Sequence, residues 1–164
     1  MAFISISITK NHPLILGKGG FGRQLADWLS AEGWGEAEFL DDSAPGCVGG
    51  LRDYADPKLL KPGRPAFVAL GDNALRVELL QKLAAAGYDT PVFISDMAAV
   101  SPSAVLEPGC VILPQAYVGA DAHLGVGCII NGGAIVDHDA VLGRGVHVAP
   151  GGIVKAGAEV EALT

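Results

Sequence analysis

From residue 99 onward the chain can be cut into hexapeptides without one insertion: AVSPSA, VLEPGC, VILPQA, YVGADA, HLGVGC, IINGGA, IVDHDA, VLGRGV, HVAPGG, IVKAGA and EVEALT. The second position is Val, Leu or Ile in every block, and the sixth is Ala, Cys, Val, Gly or Thr, always compact. A short fixed period of this kind marks a parallel β-helix. Each hexapeptide makes one side of a triangular coil. The aliphatic residue points inward and stacks on its counterpart one coil above, and the compact residue fits the tight corner. Three blocks make a coil, so the eleven blocks predict a little under four coils. Cys110 and Cys128 lie 18 residues apart, both in the sixth position. They are predicted to stack at strand spacing, about 4.8 Å, as buried small residues rather than as a bridge or a metal site.

The first half follows other rules. HPLILGKGGFGRQLADWLSAEG opens with an apolar run, Leu14 to Leu16, that ends in a glycine-rich turn. Phe21, Leu25, Trp28 and Leu29 then recur at helical spacing, with Gly33 as the stop. EAEFLDD predicts a second strand ending at Asp41 and Asp42, and the Gly- and Pro-punctuated stretch after it predicts a loop with a short strand or helical turn. AFVALG predicts a third strand. GDNALRVELLQKLAAAG predicts a helix capped at Asp72/Asn73, with Leu75, Leu79 and Leu83 on one face and Gly87 as its end. TPVFIS predicts a fourth strand leading into the repeats. The result is an α/β region with a small parallel sheet of Rossmann type at 1–95, followed by the β-helix at 96–164.

Composition narrows the classes of function. A net charge of −7 argues against nucleic acid and against anionic membrane surfaces. No apolar run approaches the ~18 residues that span a bilayer. The opening MAFISISITK places its first positive charge after the apolar part, opposite to a secretory signal. Three cysteines in no metal-like spacing suit a reducing compartment, so a cytoplasmic protein is expected.

Gly17, Gly19 and Gly22 satisfy G-x-G-x-x-G between a strand and a helix, and Asp41 lies 19 residues beyond Gly22, where an acidic group would meet ribose hydroxyls. Backbone N–H groups and a helix N-terminus would face a diphosphate there. A tight turn needed only for packing would look the same. A region of this length offers about half of the usual doubly wound sheet, which favours a nucleotide or nucleotide sugar over a full dinucleotide.

Of the four histidines, His12 precedes Pro13 and reads as solvated, and His123 opens its block as a structural residue. His138 stands between Asp137 and Asp139 in the outward-facing fourth position of its block. A carboxylate beside an exposed imidazole orients it and raises its basicity, as a general base near neutral pH requires. His147 opens a later block and projects near a corner. Position alone leaves both open between catalytic and structural roles. No metal is expected, because the spacing supplies no third ligand.

The GKGGFG turn, the DD pair, the GDN turn after AFVAL and the run NGGAIVDHDAVLGRGVHVAPGG resemble the sugar O- and N-acetyltransferases among the hexapeptide-repeat acyltransferases. That group includes the bacillosamine-pathway nucleotide-sugar N-acetyltransferase and the sialic acid O-acetyltransferases. The resemblance runs from about residue 13 to the end of the chain. It implies a left-handed β-helix, acetyl-coenzyme A as co-substrate, a nucleotide-linked or other sugar as acceptor, and a homotrimer with the coenzyme in the groove between adjacent β-helices. It implies that His138 is the base that deprotonates the acceptor and that Asp139 orients it. It places His147 by the thioester of acetyl-coenzyme A and Asn131 near the acceptor. Gly17, Gly19, Gly20, Asp41, Asp42, Gly71 and Asn73 fall on its nucleotide-sugar side. Two departures stand out: Phe21 occupies a position where the bacillosamine enzyme has histidine, and EVEALT ends the sequence where family members run further into coenzyme-binding coils. The β-helix region is therefore expected to be short at its C-terminus. The alternative function is a catalytically impaired nucleotide-sugar-binding or scaffold homologue lacking those coils.

Overall fold

Three short apolar runs form the first sheet. In a computed structural model, which describes residues 12–59, 61 and 63–164, β1 (Leu14–Leu16), β2 (Glu38–Leu40) and β3 (Ala66–Val68) lie parallel in the order β2-β1-β3. The apolar opening residues considered above as a possible signal fall outside the described residues. Alternation along the strands divides the core. Ile15 and Phe67 face Leu25 and Leu29 of helix α1 (Gly20–Ala31), whereas Leu14, Leu16, Ala66 and Val68 face Leu79 and Leu83 of helix α2 (Asn73–Ala86).

Both helices stop where the glycines predict. Gly33 takes φ +82°, its N–H meets the Ser30 carbonyl, and the Trp34 N–H meets that of Leu29, the paired bonds of a Schellman end. Gly87 ends α2 at φ +100° in the same way. At the start of α2, the Asp72 carboxylate accepts the Leu75 N–H at 2.9 Å. Among its described residues, the long loop between β2 and β3 contains a short 3₁₀ turn, Asp53–Ala55.

The repeats form a parallel solenoid with three faces. The first face stacks β4 (Phe93–Ile94), β7 (Val111–Ile112), β10 (Ile129–Ile130) and β13 (His147–Val148). The second stacks β5 (Ala99–Val100), β8 (Tyr117–Val118), β11 (Ile135–Val136) and β14 (Ile153–Val154). The third stacks β6 (Val105–Leu106), β9 (His123–Leu124), β12 (Val141–Leu142) and β15 (Glu159–Val160). Four strands on each face make four full coils. The extra block is FISDMA: the strand read in TPVFIS pairs with Val111–Ile112 of the solenoid and does not join the β2-β1-β3 sheet. The physical reason is phase. Phe93 and Ile94 stand 18 residues before Val111 and Ile112, one coil back.

Second- and sixth-position side chains fill the interior, among them Ile112, Val118, Ile130, Val136 and the compact Cys110, Ala116, Cys128 and Ala134. Cys110 and Cys128 are fully buried free thiols, each donating to a carbonyl of the neighbouring coil at 3.2 Å, Gly125 and Gly143 respectively.

The two halves dock through outward-facing residues of the first face. Phe93, Val111 and Ile129 are buried in one cluster with Ile15, Leu25 and Phe67, each worth about 1.5–3 kcal/mol of burial. Helix α2 closes a second contact. Leu80 and Val77 lie against the corner glycines Gly109, Gly127 and Gly145, where an added Cβ would come within 2.7 to 2.8 Å of one of these two side chains.

Candidate active site

At the C-terminal end of β1, glycine is required at two places and optional at two. Gly17 takes φ +99°, and a Cβ on it would lie 2.7 Å from the Ala69 carbonyl oxygen. A Cβ on Gly22 would lie 1.9 Å from the Gly17 oxygen, so α1 can approach the strand only without a side chain there. Gly19 and Gly20 face open space, and Gly19 begins α1 with no side-chain cap on its first turn. Gly71, equally open, lies in the turn after β3. Since β1 is central and its neighbours are reached in opposite directions, the gap between the ends of β1 and β3 is the switch point at which open parallel sheets bind ligands.

The acidic pair beside this turn is also bonded within the chain itself. One Asp41 oxygen accepts the Lys18 backbone N–H at 2.8 Å, and the other accepts the N–H groups of Ser43 and Ala44, both at 2.9 Å, and the Ser43 hydroxyl at 3.1 Å. Those bonds hold its carboxyl far below the usual carboxylate range. Asp41 thus fastens the glycine turn to the loop after β2, and the oxygen that accepts from Lys18 has a second lone pair to offer. Asp42 accepts the Leu51 N–H at 2.8 Å. Asn73 is also engaged at both ends, donating to the Leu163 carbonyl at 3.1 Å and accepting from Arg76 at 2.8 Å.

His138 sits at the corner between the second and third faces. Its Nδ1 lies 2.6 Å from an Asp139 oxygen, and its backbone N–H donates to Asp137 at 2.8 Å. Asp139 takes φ +59°, a left-handed conformation that aspartate tolerates better than most residues. With its Nδ1–H given to Asp139, the neutral ring presents Nε2 as a base. The Asp139 hydrogen bond, helped by the charge of Asp137, raises the His138 pKa above the ordinary histidine value.

His147 belongs to the first face, beside the docked α/β half. The Asn131 amide lies 3.1 Å from its Nε2, and the Asn131 oxygen accepts the Gly132 N–H at 2.8 Å. The amide nitrogen therefore donates to Nε2, and the neutral ring carries its proton on Nδ1. Burial, with the nearby positive charge of Arg76, lowers the His147 pKa.

The chain thus builds three clusters: the glycine and GDN turns, the Asn131–His147 pair, and the His138–Asp139 corner. His123 instead pairs with Glu107 at 2.8 Å, and His12 hydrogen-bonds the Glu36 carbonyl. Among the described residues no group of His, Cys, Asp and Glu could hold a metal ion, and no helix is long and apolar enough to cross a membrane.

Two residues join these clusters without having been singled out in the sequence. Lys18, inside the glycine turn, donates its ammonium to the carbonyls of Pro45 and Gly46 at 2.7 and 3.2 Å. Arg76, fully buried on α2, bonds both the turn after β3 and the β-helix. Only the lysine's place between two glycines hinted at either.

Residues 14–83 match the model of the PglD N-terminal domain family. Over the longer span, the chain is 36% identical to the acetyltransferase domain of PglB from Neisseria gonorrhoeae, solved with acetyl coenzyme A; the match covers 87% of this chain and 71% of that one, with a TM-score of 0.77. It therefore belongs to the hexapeptide-repeat sugar acetyltransferases. Within this family, a histidine-to-alanine mutant of GDP-perosamine N-acetyltransferase from Caulobacter crescentus, solved with CoA and GDP-perosamine, is 32% identical, over 85% of this chain and 69% of that one, with a TM-score of 0.77. PerB from Caulobacter crescentus, solved with the same two ligands, is 26% identical over 92% of this chain and 91% of its own, with a TM-score of 0.78. The solenoid is accordingly the left-handed β-helix of these acetyltransferases.

Proposed function

We propose that this protein transfers the acetyl group of acetyl-coenzyme A to an amino or hydroxyl group of a nucleotide-linked sugar in glycan biosynthesis. The observation that carries the reading is the His138–Asp139 pair, an exposed imidazole held through Nδ1 with Nε2 free. His138 removes the acceptor's proton as the acceptor attacks the thioester carbonyl. The tetrahedral adduct collapses with cleavage of the carbon–sulfur bond, coenzyme A leaves as a thiolate, the proton held by His138 neutralises it, and no acyl-enzyme forms. Asp139 keeps the ring in the required tautomer and stabilises the imidazolium. His147, neutral with a donor at Nδ1, suits the carbonyl oxygen as charge develops on it, and Asn131 holds that tautomer.

The nucleotide sugar is assigned to the glycine turn. Gly19, Gly20 and Gly71 leave open space there for a diphosphate to approach the backbone. Asp41, Asp42 and Asn73 shape that mouth through the bonds described above.

A homotrimer fits the second face. Tyr117, Ile135 and Ile153 form an apolar ladder there, 43%, 38% and 68% exposed, and His138 follows Ile135 by three residues. A second copy seated on this ladder covers it and walls the histidine corner. Its mass is read by sedimentation. The free thiols suit the cytoplasm.

The test is thiol release from acetyl-coenzyme A with GDP- and UDP-linked amino sugars, beside calorimetry of the coenzyme with the His147→Ala variant. Acceptor-dependent release, with weakened coenzyme binding in the variant, is expected. Absence of coenzyme binding at millimolar ligand would sink the reading.

A further inference from the structure

Arg76 is 1% exposed, and none of its four acceptors is a carboxylate. Nη1 donates to the Leu70 carbonyl at 2.8 Å, in the turn after β3, and Nη2 to the Asn73 side-chain oxygen at 2.8 Å, at the first residue of α2. Nε donates to the Gly127 carbonyl at 2.9 Å and Nη2 also to that of Gly145 at 2.8 Å, corners of successive coils. Gly145 stands two residues before His147. One guanidinium thus reaches the cluster assigned to the nucleotide sugar and the corner that leads into the strand of the donor-side histidine.

Burying a cation is expensive, and docking α2 on the coils does not require one. Leu80, one turn along the same helix, packs against Gly109 and Gly127 with no polar group. What the guanidinium adds is geometry at Gly145 and a positive charge near His147. Asp72, at the cap of α2, is the carboxylate that faces Arg76, and Arg76 is the charged group that faces His147.

We propose that Arg76 is a positioning residue of the transfer reaction: it ties the Leu70–Asn73 turn on the acceptor side to the Gly145 corner on the donor side, and so sets how the His147 ring meets the acetyl donor. The donor role of His147 rests on the function proposed above; the control of its ring by Arg76 does not.

The test is histidine-resolved nitrogen NMR across pH on the full chain, with acetyl-coenzyme A calorimetry alongside. Wild type is compared with Arg76→Lys, Arg76→Met and Leu80→Ala. In wild type His147 titrates below the ordinary histidine value, with the proton of the neutral ring on Nδ1. Arg76→Met moves that midpoint upward, Arg76→Lys, which keeps a cation on the helix, moves it less, and both weaken acetyl-coenzyme A about fivefold or more, the low end of couplings between sites. Leu80→Ala lowers the melting temperature but moves neither. Arg76 variants that lose stability while the His147 signals and coenzyme affinity stay at wild-type values would overturn the proposal. An ordinary or raised midpoint in the wild type would overturn it too, even if neither variant folds. If the NMR shifts appear but wild type binds no acetyl-coenzyme A, the function proposed above has failed and the positioning has not.

Discussion

In the α/β half, Gly17 and Gly22 are fixed by close neighbours, the Ala69 carbonyl oxygen and Leu70 side chain for Gly17 and the Gly17 carbonyl oxygen for Gly22. In the β-helix, the fifth position of every block from Gly109 onward takes a positive φ whatever residue stands there: glycine in six blocks, and Gln115, Asp121, Asp139 and Leu163 in the others. The first is a local steric demand that a single methyl group violates. The second is a property of the coil, imposed at each corner and met by glycine or by a few other residues, except where helix α2 packs on Gly109, Gly127 and Gly145. A β-helix can therefore place an aspartate at a left-handed corner, as it does beside His138, whereas Gly17 and Gly22 have no such latitude. The side proposed to hold the acetyl donor is built by repetition, and the side proposed to hold the acceptor by individual contacts.

Substitutions on the two sides should accordingly fail in different ways. The largest effect belongs to His138→Ala, expected to lower turnover by about 10²–10⁴-fold, the usual contribution of a general base, with the melting temperature unchanged; steady-state kinetics and calorimetry measure both. Gly22→Ala comes next, with a methyl group 1.9 Å from the Gly17 oxygen. It should destabilise by about 1–3 kcal/mol or more in urea unfolding, whereas Gly20→Ala should unfold like wild type while raising KM for the nucleotide sugar. If the two glycine variants behave alike, the division between packing and ligand-facing glycines is wrong.

The Asp139 carboxylate offers a finer test. His138 must be unprotonated to act, so kcat falls as pH drops through its raised pKa. Asp139→Asn removes the largest cause of that rise, and the acidic limb should move to lower pH as the plateau falls. The smallest effect is thermal. Asp139→Gly relieves a left-handed residue, so stability should stay level or rise by up to about 1 kcal/mol although turnover drops.

The same contrast explains what the sequence made legible. In the β-helix a residue's place in its block sets its direction, so the interior, the Cys110–Cys128 stack and the outward position of His138 could all be read from the period. FISDMA escaped because its strand is a two-residue apolar run, as compatible with a sheet edge as with a coil. In the α/β half the helices and their glycine ends were legible because capping is local. The bonds of Asp41 were not: Ser43 and Ala44 fold back onto its carboxylate in an Asx turn that the spacing from the glycine turn does not announce. Arg76 was least legible of all. Its β-helix acceptors lie 51 and 69 residues away, and it stands on a flank of α2 that counts as a packing face only once the coils are in place.

The most direct test of the account is mass spectrometry of a GDP- or UDP-linked amino sugar incubated with acetyl-coenzyme A and the full chain, beside His138→Ala at equal concentration. The account predicts an acetylated nucleotide sugar with wild type and almost none with the variant. Equal product from both, or coenzyme A thiol released with no acetyl group on the sugar, would contradict it.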